Sequence, residues 1–363
     1  MAVETGTSSE KAEKKKIALY ILTSNEKGFI PCIPDSINYE LNEYGAPGKL
    51  TFKVMKDKIL DFEEGACVQF SYGDKKLFRG YVFSRKQDKN GIVSVTAYDQ
   101  LRYLKNKDIY AFAGVTASQI LKQIADDFKL QLGDVDDTKY VIPKMRASNE
   151  TLFDIIQKAL DHTYLFSKNE SGEFEKKRYI LFDDFGKICL KEVGALDVPI
   201  LVDSETAENF SFESSIDKDT YNKVKLYEDN KDTGKREVYI AEDSANQARW
   251  GILQMTESVN TQRTMNPEQK AKIMLDSHNF AKKNLTISHA FGDCRVRAGS
   301  RIYVSLNVKD SATDLGCGKS VVQMLVKQVK HTFTNDYYTM DLTLKGGALG
   351  EQTANGSTAA AGN

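Results

Sequence analysis

The sequence is poor in the patterns that metal sites, disulfide frameworks and membrane spans require. It contains one tryptophan, and its four histidines, His162, His278, His289 and His331, form no pair at metal-ligand spacing. The five cysteines are an odd and scattered set: Cys32, Cys67, Cys189, Cys294 and Cys317. No run approaches the roughly 20 apolar residues of a membrane-spanning helix. The sequence therefore predicts no cofactor, no metal site and no membrane anchor, with the cysteines acting as small hydrophobic residues in a reducing compartment.

An excess of charge of one sign is also missing. Fifty basic side chains face 51 acidic ones, which leaves a formal net charge of −1. Without an overall positive field the chain is expected to contact nucleic acid at most transiently. The start of the chain runs into Lys14-Lys15-Lys16 with no apolar stretch of signal-peptide length, so we expect the protein to be made in the cytoplasm.

Apolar residues, by contrast, are plentiful enough for two or three domains. The 363 residues are 41% hydrophobic and 10% aromatic, which is typical of a globular protein. Residues 1–15 and 346–363 are small and polar, and we expect a flexible N-terminal arm and a flexible tail there. The fold class predicted between them is mainly β with an α+β insertion. It comprises a first antiparallel β-barrel at 16–109, an inserted α+β domain at 110–198, and a second, related barrel at 199–345 with a helix at about 266–283.

The helices are predicted from their caps and their apolar stripes. Thr116 to Gln119 reads as a capping box, and the helix that follows should run to about Phe128. Asn149 is the predicted cap of a second helix. Asn266, followed by a proline at the first helical position, predicts the later helix.

The first and last β-rich segments repeat each other's pattern. The run that begins at Gly65 matches the run that begins at Gly299, and residues 77–99 align without a gap on residues 323–345. Any two β-meanders share alternation, so pattern alone is weak evidence. If the duplication holds, three chains would present six similar units. This interpretation expects two copies of one sheet architecture, and a single continuous sheet would contradict it.

Turns and strand starts are the residues singled out by this comparison. They are Gly65, Gly80, Asn90, Gly91, Gly299, Asn335 and Asp336. The pair Asn90-Gly91 suits a tight hairpin, because both residues tolerate positive φ. Trp250, beside a glycine, is a candidate anchor of a subunit interface, although a place in a domain core explains it equally well.

The order of these segments resembles the baseplate hub proteins of contractile phage tails and phage-tail-like bacteriocins, of the late control D and prophage hub type. The segments that carry the resemblance are 39–52, 65–71, 78–82, 116–121, 149–154, 221–226 and 292–299. The resemblance implies a structural homotrimer that adapts a sixfold tail tube to a threefold spike around a central channel. It implies as partners a second and third copy of the chain, the tail tube or tube-initiator protein, the spike and the tape measure. The protein would be made in the host cytoplasm and then join the tail particle, either a virion or a released bacteriocin.

Two short motifs suggest chemistry that their surroundings do not support. Gly318-Lys319-Ser320 ends like a phosphate-binding loop, but a β-branched run follows where a helix should begin. Asp184-Phe185-Gly186 matches the metal-binding tripeptide of kinases, yet no glycine-rich loop precedes it, and we predict a hairpin turn.

A protein that binds peptidoglycan, or a cell-wall hydrolase accessory of the tail, is the alternative from another class. The unit at 110–198 could bind glycan, and adjacent acids such as Asp126-Asp127, Asp136-Asp137 and Asp183-Asp184 could act as acid and base. Such pairs usually sit solvated in turns or at helix ends, and the sequence does not give the separation that this chemistry demands. A spike hub that delivers effectors is a third reading, but no β-helix repeat follows residue 346. The sequence thus favours a structural protein without enzymatic activity.

Overall fold

A computed structural model describes residues 17–23, 28–56, 60–168, 177–229, 235–259, 266–306 and 321–346. The predicted N-terminal arm, the tail after residue 346, Cys317 and the Gly318-Lys319-Ser320 motif lie outside the described residues. Strands dominate the described part, and antiparallel pairing dominates the sheets, which confirms the predicted mainly β class.

The first β segment forms seven strands whose alternate residues face one core. The strands are β1 (Ile17–Leu22), β2 (Gly28–Phe29), β3 (Ile37–Asn42), β4 (Lys49–Met55), β5 (Cys67–Tyr72), β6 (Lys75–Gln87) and β7 (Ile92–Tyr98). Burial alternates along β3 and β4, as expected for strands with one face on a core. The strands are ordered β3-β4-β7-β6-β5-β1-β2, with antiparallel pairing throughout.

An α+β unit with its own apolar core follows. Its elements, after a 3₁₀ turn (Gln100–Lys105), are β8 (Lys107–Thr116), α1 (Ala117–Asp127), β9 (Leu132–Val135), β10 (Val141–Thr151), α2 (Leu152–Phe166), β11 (Tyr179–Asp183) and β12 (Ile188–Glu192). The apolar stripe of α1 packs against α2 in a cluster separate from that of the large sheet. The domain boundaries assigned from the sequence stay a prediction, but this cluster coincides with the predicted α+β region.

The helix caps show where the sequence prediction was right and where it failed. The capping box of α1 is present, since Gln119 N donates to Thr116 Oγ1 at 3.3 Å and Thr116 N donates to the Gln119 side chain at 2.9 Å. The predicted cap of α2 was wrong. Asn149 lies within β10 with a positive φ of 56°, and Thr151 caps α2 by accepting from Asp154 N at 3.1 Å.

The last part of the chain returns to the large sheet but carries a second small α+β unit. Its elements are β13 (Leu201–Asp203), β14 (Asn209–Ser215), β15 (Lys223–Asp229), β16 (Arg236–Glu242), α3 (Ser244–Trp250), β17 (Gln254–Ser258), α4 (Pro267–His278), β18 (Lys282–Phe291), β19 (Arg301–Ser305), β20 (Val322–Phe333) and β21 (Tyr338–Gly346). Strands β15–β17 form a separate three-stranded sheet on which α4 packs. The sequence analysis had assigned this unit to the second barrel.

Helix α4 begins as predicted and ends earlier than predicted. Asn266 caps it by accepting from Glu268 N at 2.9 Å. The helix was expected to reach residue 283, but it ends at His278. Asn279 forms the C-cap, and the chain must already be extended at Lys282, where β18 begins its pairing with β14 and β21.

The two β-rich segments repeat one strand order. In the first half the order is β3-β4-β7-β6-β5, and in the second half it is β14-β18-β21-β20-β19. One difference lies at the outer edge, where β1 pairs antiparallel with β5 but β13 pairs parallel with β19. A second lies between the first two strands of each half. Residues 43–48 form a short turn between β3 and β4, whereas the second α+β unit lies between β14 and β18.

The expectation that the two copies have independent sheets was wrong. Strand β20 pairs antiparallel with β3, from Gln328 opposite Asn42 to Phe333 opposite Ile37. A single 13-stranded sheet results, and one apolar cluster contains buried residues from both halves. This pairing of residues 328–333 with residues 37–42 is the seam between the halves, and it satisfies backbone groups that would otherwise lie on two open strand edges.

Candidate functional site

The two strand starts predicted from the sequence have the same geometry in both halves. Gly65 and Gly299 each have a φ of +90°. The backbone N–H of Gly65 donates to the carbonyl of Val82, and that of Gly299 donates to the carbonyl of Val326, both at 2.8 Å. The repeat therefore extends from strand order to individual hydrogen bonds, and Val82 in the first half is equivalent to Val326 in the second.

The sequence alignment of the repeat needs a local correction. Equating residue 77 with residue 323 misplaces β6 by two positions, because the hydrogen bonds equate Val82 with Val326 rather than with Gln328. A shift of two residues keeps every side chain on the same face of the sheet, so the periodic pattern could not reveal it. For β7 and β21 the predicted alignment is within one residue of the observed register.

The hairpin turns at the ends of the repeat are built with different side chains. In the first half Asp88 Oδ1 accepts from the N–H of Asn90 at 2.8 Å, and Gly91 has a φ of +80°. In the second half Thr334 Oγ1 accepts from the N–H of Asp336 at 3.3 Å, in the turn that also contains Asn335. In both turns a side-chain oxygen accepts a hydrogen bond from the backbone N–H two residues later.

The remaining two predicted positions have contrasting surroundings. Gly80 lies inside β6, where a Cβ atom would collide with the carbonyl oxygen of Tyr98 and the ring of Phe78, so the glycine permits close approach of β7. Trp250 ends α3, is partly exposed, and has the Arg249 guanidinium 5.5 Å from its ring centre. Its assignment as an interface anchor stays a prediction.

Buried charges join the seam between the two halves. Glu43, just after β3, is almost fully buried, and its carboxylate accepts from Lys345 Nζ of β21 at 2.5 and 2.8 Å. Arg178, just before β11, lies 3.8 Å from the same carboxylate. This cluster therefore connects the first half, the second half and the α+β unit.

A second polar cluster lies where β11 meets the loop before β19. Arg297 donates to the carbonyl oxygen of Asp183 at 2.9 Å, and its guanidinium lies 3.8 Å from the ring centre of Phe182. Asp183 Oδ1 accepts from Gly186 N at 2.7 Å, which fixes the turn at Asp184-Phe185-Gly186 that the sequence predicted as a hairpin. Burial raises the pKa of Asp183 to about 7, and it also raises the pKa of the neighbouring carboxyl of Asp99.

His331 is buried between the same loop and the last hairpin. Its Nε2 donates to the carbonyl of Val296 at 3.0 Å, and its Nδ1 then accepts from Tyr338 Oη at 2.9 Å. The ring stacks near Tyr39 of the first half, with ring centres 6.2 Å apart. Burial lowers the pKa of His331 to about 4, so the imidazole is neutral at neutral pH. His331 is therefore a buried histidine whose two ring nitrogens both have hydrogen-bond partners.

The acidic pairs weighed for glycan chemistry have structural partners. Asp127 accepts from Tyr110 Oη at 2.7 Å, and Asp136 accepts from Lys191 Nζ at 2.9 Å. Within the described ranges, no group of three or more His, Cys, Asp or Glu side chains could hold a metal ion. No helix in the described part of the chain is long and apolar enough to cross a membrane.

Among the open strand edges in the described part of the chain, two belong to strands of the repeat. Strand β14 has β18 as its only strand partner there, and its other side defines the β14 edge (Asn209–Ser215). Beyond its pairing with β5, β6 continues through residues 84–87, which pair only with β7, and their other side defines the β6 edge. Open edges of this kind are templates for pairing with another chain.

Sequence reasoning missed the seam, both polar clusters and both edges. Each brings together residues far apart in the chain, such as Glu43 and Lys345, and no local pattern encodes such contacts. The one available signal was charge placement, since a lysine, Lys345, directly follows the alternating run from Tyr338 to Leu344.

Comparison with known proteins agrees with the architecture. A family model described as YQBQ-like matches residues 37–345. The uncharacterized protein YqbQ of Bacillus subtilis strain 168 is 30% identical over 90% of this chain and 95% of its own length. The phage-like element PBSX protein XkdQ of the same organism is 31% identical over 80% of this chain and 87% of its own length.

A solved structure extends the likeness to a more distant protein. The tail protein from Neisseria meningitidis MC58 superimposes with a TM-score of 0.64 at 11% identity, covering 91% of this chain and 96% of its own. At this identity the likeness establishes the fold alone, which is that of phage tail proteins. With the family model spanning both halves of the repeat, the chain belongs to the YQBQ-like family.

Proposed function

We propose that this protein is a structural component of a phage-tail-like particle and serves as its baseplate hub. The observation that carries the proposal is the repeated strand order, β3-β4-β7-β6-β5 and β14-β18-β21-β20-β19, which is present although the two halves share one sheet instead of forming the two independent sheets expected from the sequence. Three copies of a chain with two related halves present six related units in a ring. Such a ring can meet a sixfold tube on one side and a threefold spike on the other.

The described contacts suit a scaffold. The halves are connected by backbone pairing and by the buried Glu43–Lys345 ion pair, a connection that supports the proposed role of each chain as one arc of a ring. The relatives support the setting, since one of them is named for a phage-like element and a similar structure is a tail protein. The proposed partners are two further copies of the chain, the tail tube or tube-initiator protein, the spike, and the tape measure in a central channel.

Stoichiometry inside the particle tests this proposal. We expect native mass spectrometry and axial class averages of the purified particle to give three copies of the chain around a threefold axis. The particle is the decisive sample, because a hub can be monomeric before assembly. A single copy in the assembled particle would overturn the hub role.

Incubation with cell-wall sacculi tests the enzymatic alternative. We expect the full-length chain to release no soluble glycan fragments. Release that disappears in Asp183→Asn or Asp184→Asn would replace the structural proposal by a hydrolase. Sedimentation with the sacculi without release would indicate glycan binding instead.

A further inference from the structure

The register of the repeat identifies the counterpart of one side of the internal seam. The pairing of β20 with β21 is irregular just after Val326. Beyond this point the strand on the other side of β20 is no longer β19 but β3. The pairing of β6 with β7 is likewise irregular just after Val82, where the pairing of β6 with β5 on the other side has ended. With Val82 equivalent to Val326, residues 84–87 correspond to residues 328–331. The β6 edge is therefore the counterpart of the β20 edge that receives β3.

The other side of the seam has its counterpart in β14. Tyr39 of β3 lies opposite Leu50 of β4, and Phe212 of β14 lies opposite Leu285 of β18. Both Tyr39 and Phe212 pack against the large apolar cluster, and the next residue of each strand is a glutamate. The β14 edge is therefore the counterpart of the β3 edge that pairs with β20.

The charges on the two open edges match those of the seam. Within the seam, Lys330 of β20 lies directly opposite Glu40 of β3. The repeat places Lys86 of β6 at the position of Lys330 and Glu213 of β14 at the position of Glu40. Both Lys86 and Glu213 are exposed, and opposite charges directly across two antiparallel strands stabilise the pairing. The two open edges thus carry the charge pair of an interface that the chain already forms internally.

Within one chain, the strands β18, β21, β20, β3, β4 and β7 lie between the two edges in the order of the sheet. The two edges are different surfaces of one molecule, and each complements the other. An interface between unlike surfaces of identical chains repeats head to tail and closes into a ring when the rotation permits. The fitting occupant of each edge is therefore a second copy of this chain.

We propose that β14 of one protomer pairs antiparallel with residues 84–87 of β6 in the next protomer, with Glu213 opposite Lys86. The same register sets Ser215 opposite Ser84, Ser214 opposite Arg85 and Phe212 opposite Gln87. The interface between protomers is then a copy of the seam within each protomer. This inference rests on the proposed hub role and specifies the surfaces that join the trimer.

Disulfide trapping tests the register directly. Lys86→Cys and Glu213→Cys are introduced into two differently tagged full-length chains, both carrying Cys32→Ser because Cys32 is exposed. The chains are co-expressed in cells that assemble the particle. We expect mild oxidation to cross-link the two tags, because directly opposite residues bring their Cβ atoms to about 4.5–5.5 Å, close to the spacing that a disulfide needs. The matched control replaces Lys86→Cys by Ser84→Cys, which lies on the same face about 7–8 Å from residue 213. We expect at least about tenfold less product, and an equal or higher yield from the control would overturn the register.

Charge reversal tests the same pair without cysteine. Lys86→Glu alone and Glu213→Lys alone should each lower the assembled fraction about tenfold, whereas the double variant should return to within about twofold of the unmodified chain. Lys122→Glu, at an exposed position of α1, is the control for a change of net charge and should have no effect. Melting of each variant separates misfolding from failed assembly. A double variant that assembles no better than the single variants contradicts the pairing.

The outcomes separate the interface from the hub role. Threefold particles without the 86–213 cross-link would leave the hub role standing and overturn this interface. A single copy of the chain per particle would overturn both.

Discussion

Lys345 donates to both carboxylate oxygens of Glu43, a residue 302 positions earlier in the chain, at 2.8 and 2.5 Å. Since the Glu43 side chain is only 3% exposed, removing Lys345 leaves a buried carboxylate whose remaining cationic neighbour is Arg178, at the longer distance of 3.8 Å. We expect Lys345→Met to lower the free energy of unfolding by about 3 kcal/mol. Urea denaturation of the full-length chain measures this.

The double variant Glu43→Met with Lys345→Met should recover most of that loss, because it leaves no unpaired buried charge in this pair. Lys53→Ala is the control, since the pair of Lys53 with Asp35 is exposed and should be worth under about 1 kcal/mol. If Lys345→Met and Lys53→Ala lose the same stability, the buried pair does not connect the halves as inferred.

Gly65 and Gly299 share a φ of +90°, but their surroundings differ. A Cβ atom on Gly65 meets nothing within 4 Å, whereas on Gly299 it would come within 2.7 Å of the Ile180 side chain. Gly65→Ala should therefore destabilise the fold by about 1–2 kcal/mol through the backbone alone. Gly299→Ala should lose at least about 1 kcal/mol more, because of the added clash.

Thermal and urea unfolding of the two variants side by side measure that difference. Gly194→Ala is a suitable control, because the added Cβ would come only within 3.6 Å of Arg301, an ordinary contact. It should change stability by under about 1 kcal/mol. Equal losses at Gly65 and Gly299 would show that the packing against Ile180 is not tight.

The buried imidazole of His331 makes stability sensitive to acid. Its pKa is lowered to about 4 in the folded chain, below the ordinary value of about 6.5, so folding favours the neutral ring. That contribution is complete above pH 6.5 and is lost as the pH falls towards 4. Relative to His331→Gln, the unmodified chain should lose up to about 3 kcal/mol over this window.

Urea unfolding of both proteins between pH 7 and pH 4 measures the change. His289→Gln removes an exposed histidine and should alter stability by under about 1 kcal/mol throughout. A stability difference between the chain and His331→Gln that stays constant with pH would contradict a neutral, buried His331.

Asp183 has the opposite pH dependence. Burial raises its pKa to about 7 from an ordinary value near 3.8, so folding favours the protonated carboxyl. The contribution is complete below pH 3.8 and is lost as the pH rises through 7. Asp183→Asn keeps the acceptor for Gly186 N without the ionisation, and between pH 4 and pH 8 it should gain up to about 4 kcal/mol relative to the unmodified chain.

The neighbouring exposed carboxylate provides the control for that measurement. Asp184→Asn lies in the same turn and should change stability by under about 0.5 kcal/mol at both pH values. If Asp183→Asn shows no more pH dependence than Asp184→Asn, the Asp183 carboxyl is better hydrated than its position indicates.

Local signals in the sequence were sufficient for elements that local contacts determine. The capping box at Thr116 and the start of α4 at Asn266 were predicted because each cap bonds only within its own first turn. Asn149 was misassigned because Thr151, two residues later, has equal capping chemistry and the better position. The repeat was visible through its glycines, since Gly65 and Gly299 are required by backbone conformation.

Contacts between distant residues could not be predicted in the same way. Strands β15 and β16 alternate like barrel strands, so nothing in their pattern assigned them to a separate sheet with its own helix. The β20–β3 seam depends on register between segments nearly the whole chain apart. The candidate site consists of such contacts, which explains why sequence reasoning found the turns and missed the seam.

The second α+β unit occupies a position that only one of the two halves offers. Six residues connect β3 to β4, but β15–β17 and both of the later helices lie between β14 and β18. In a ring of three chains, halves that carry this unit would therefore alternate with halves that lack it. The ring of strands would have nearly sixfold symmetry, whereas the outer surface would have threefold symmetry. A protein that binds the outer surface would then find three equivalent sites, and a protein that stacks on the ring of strands would find six similar ones.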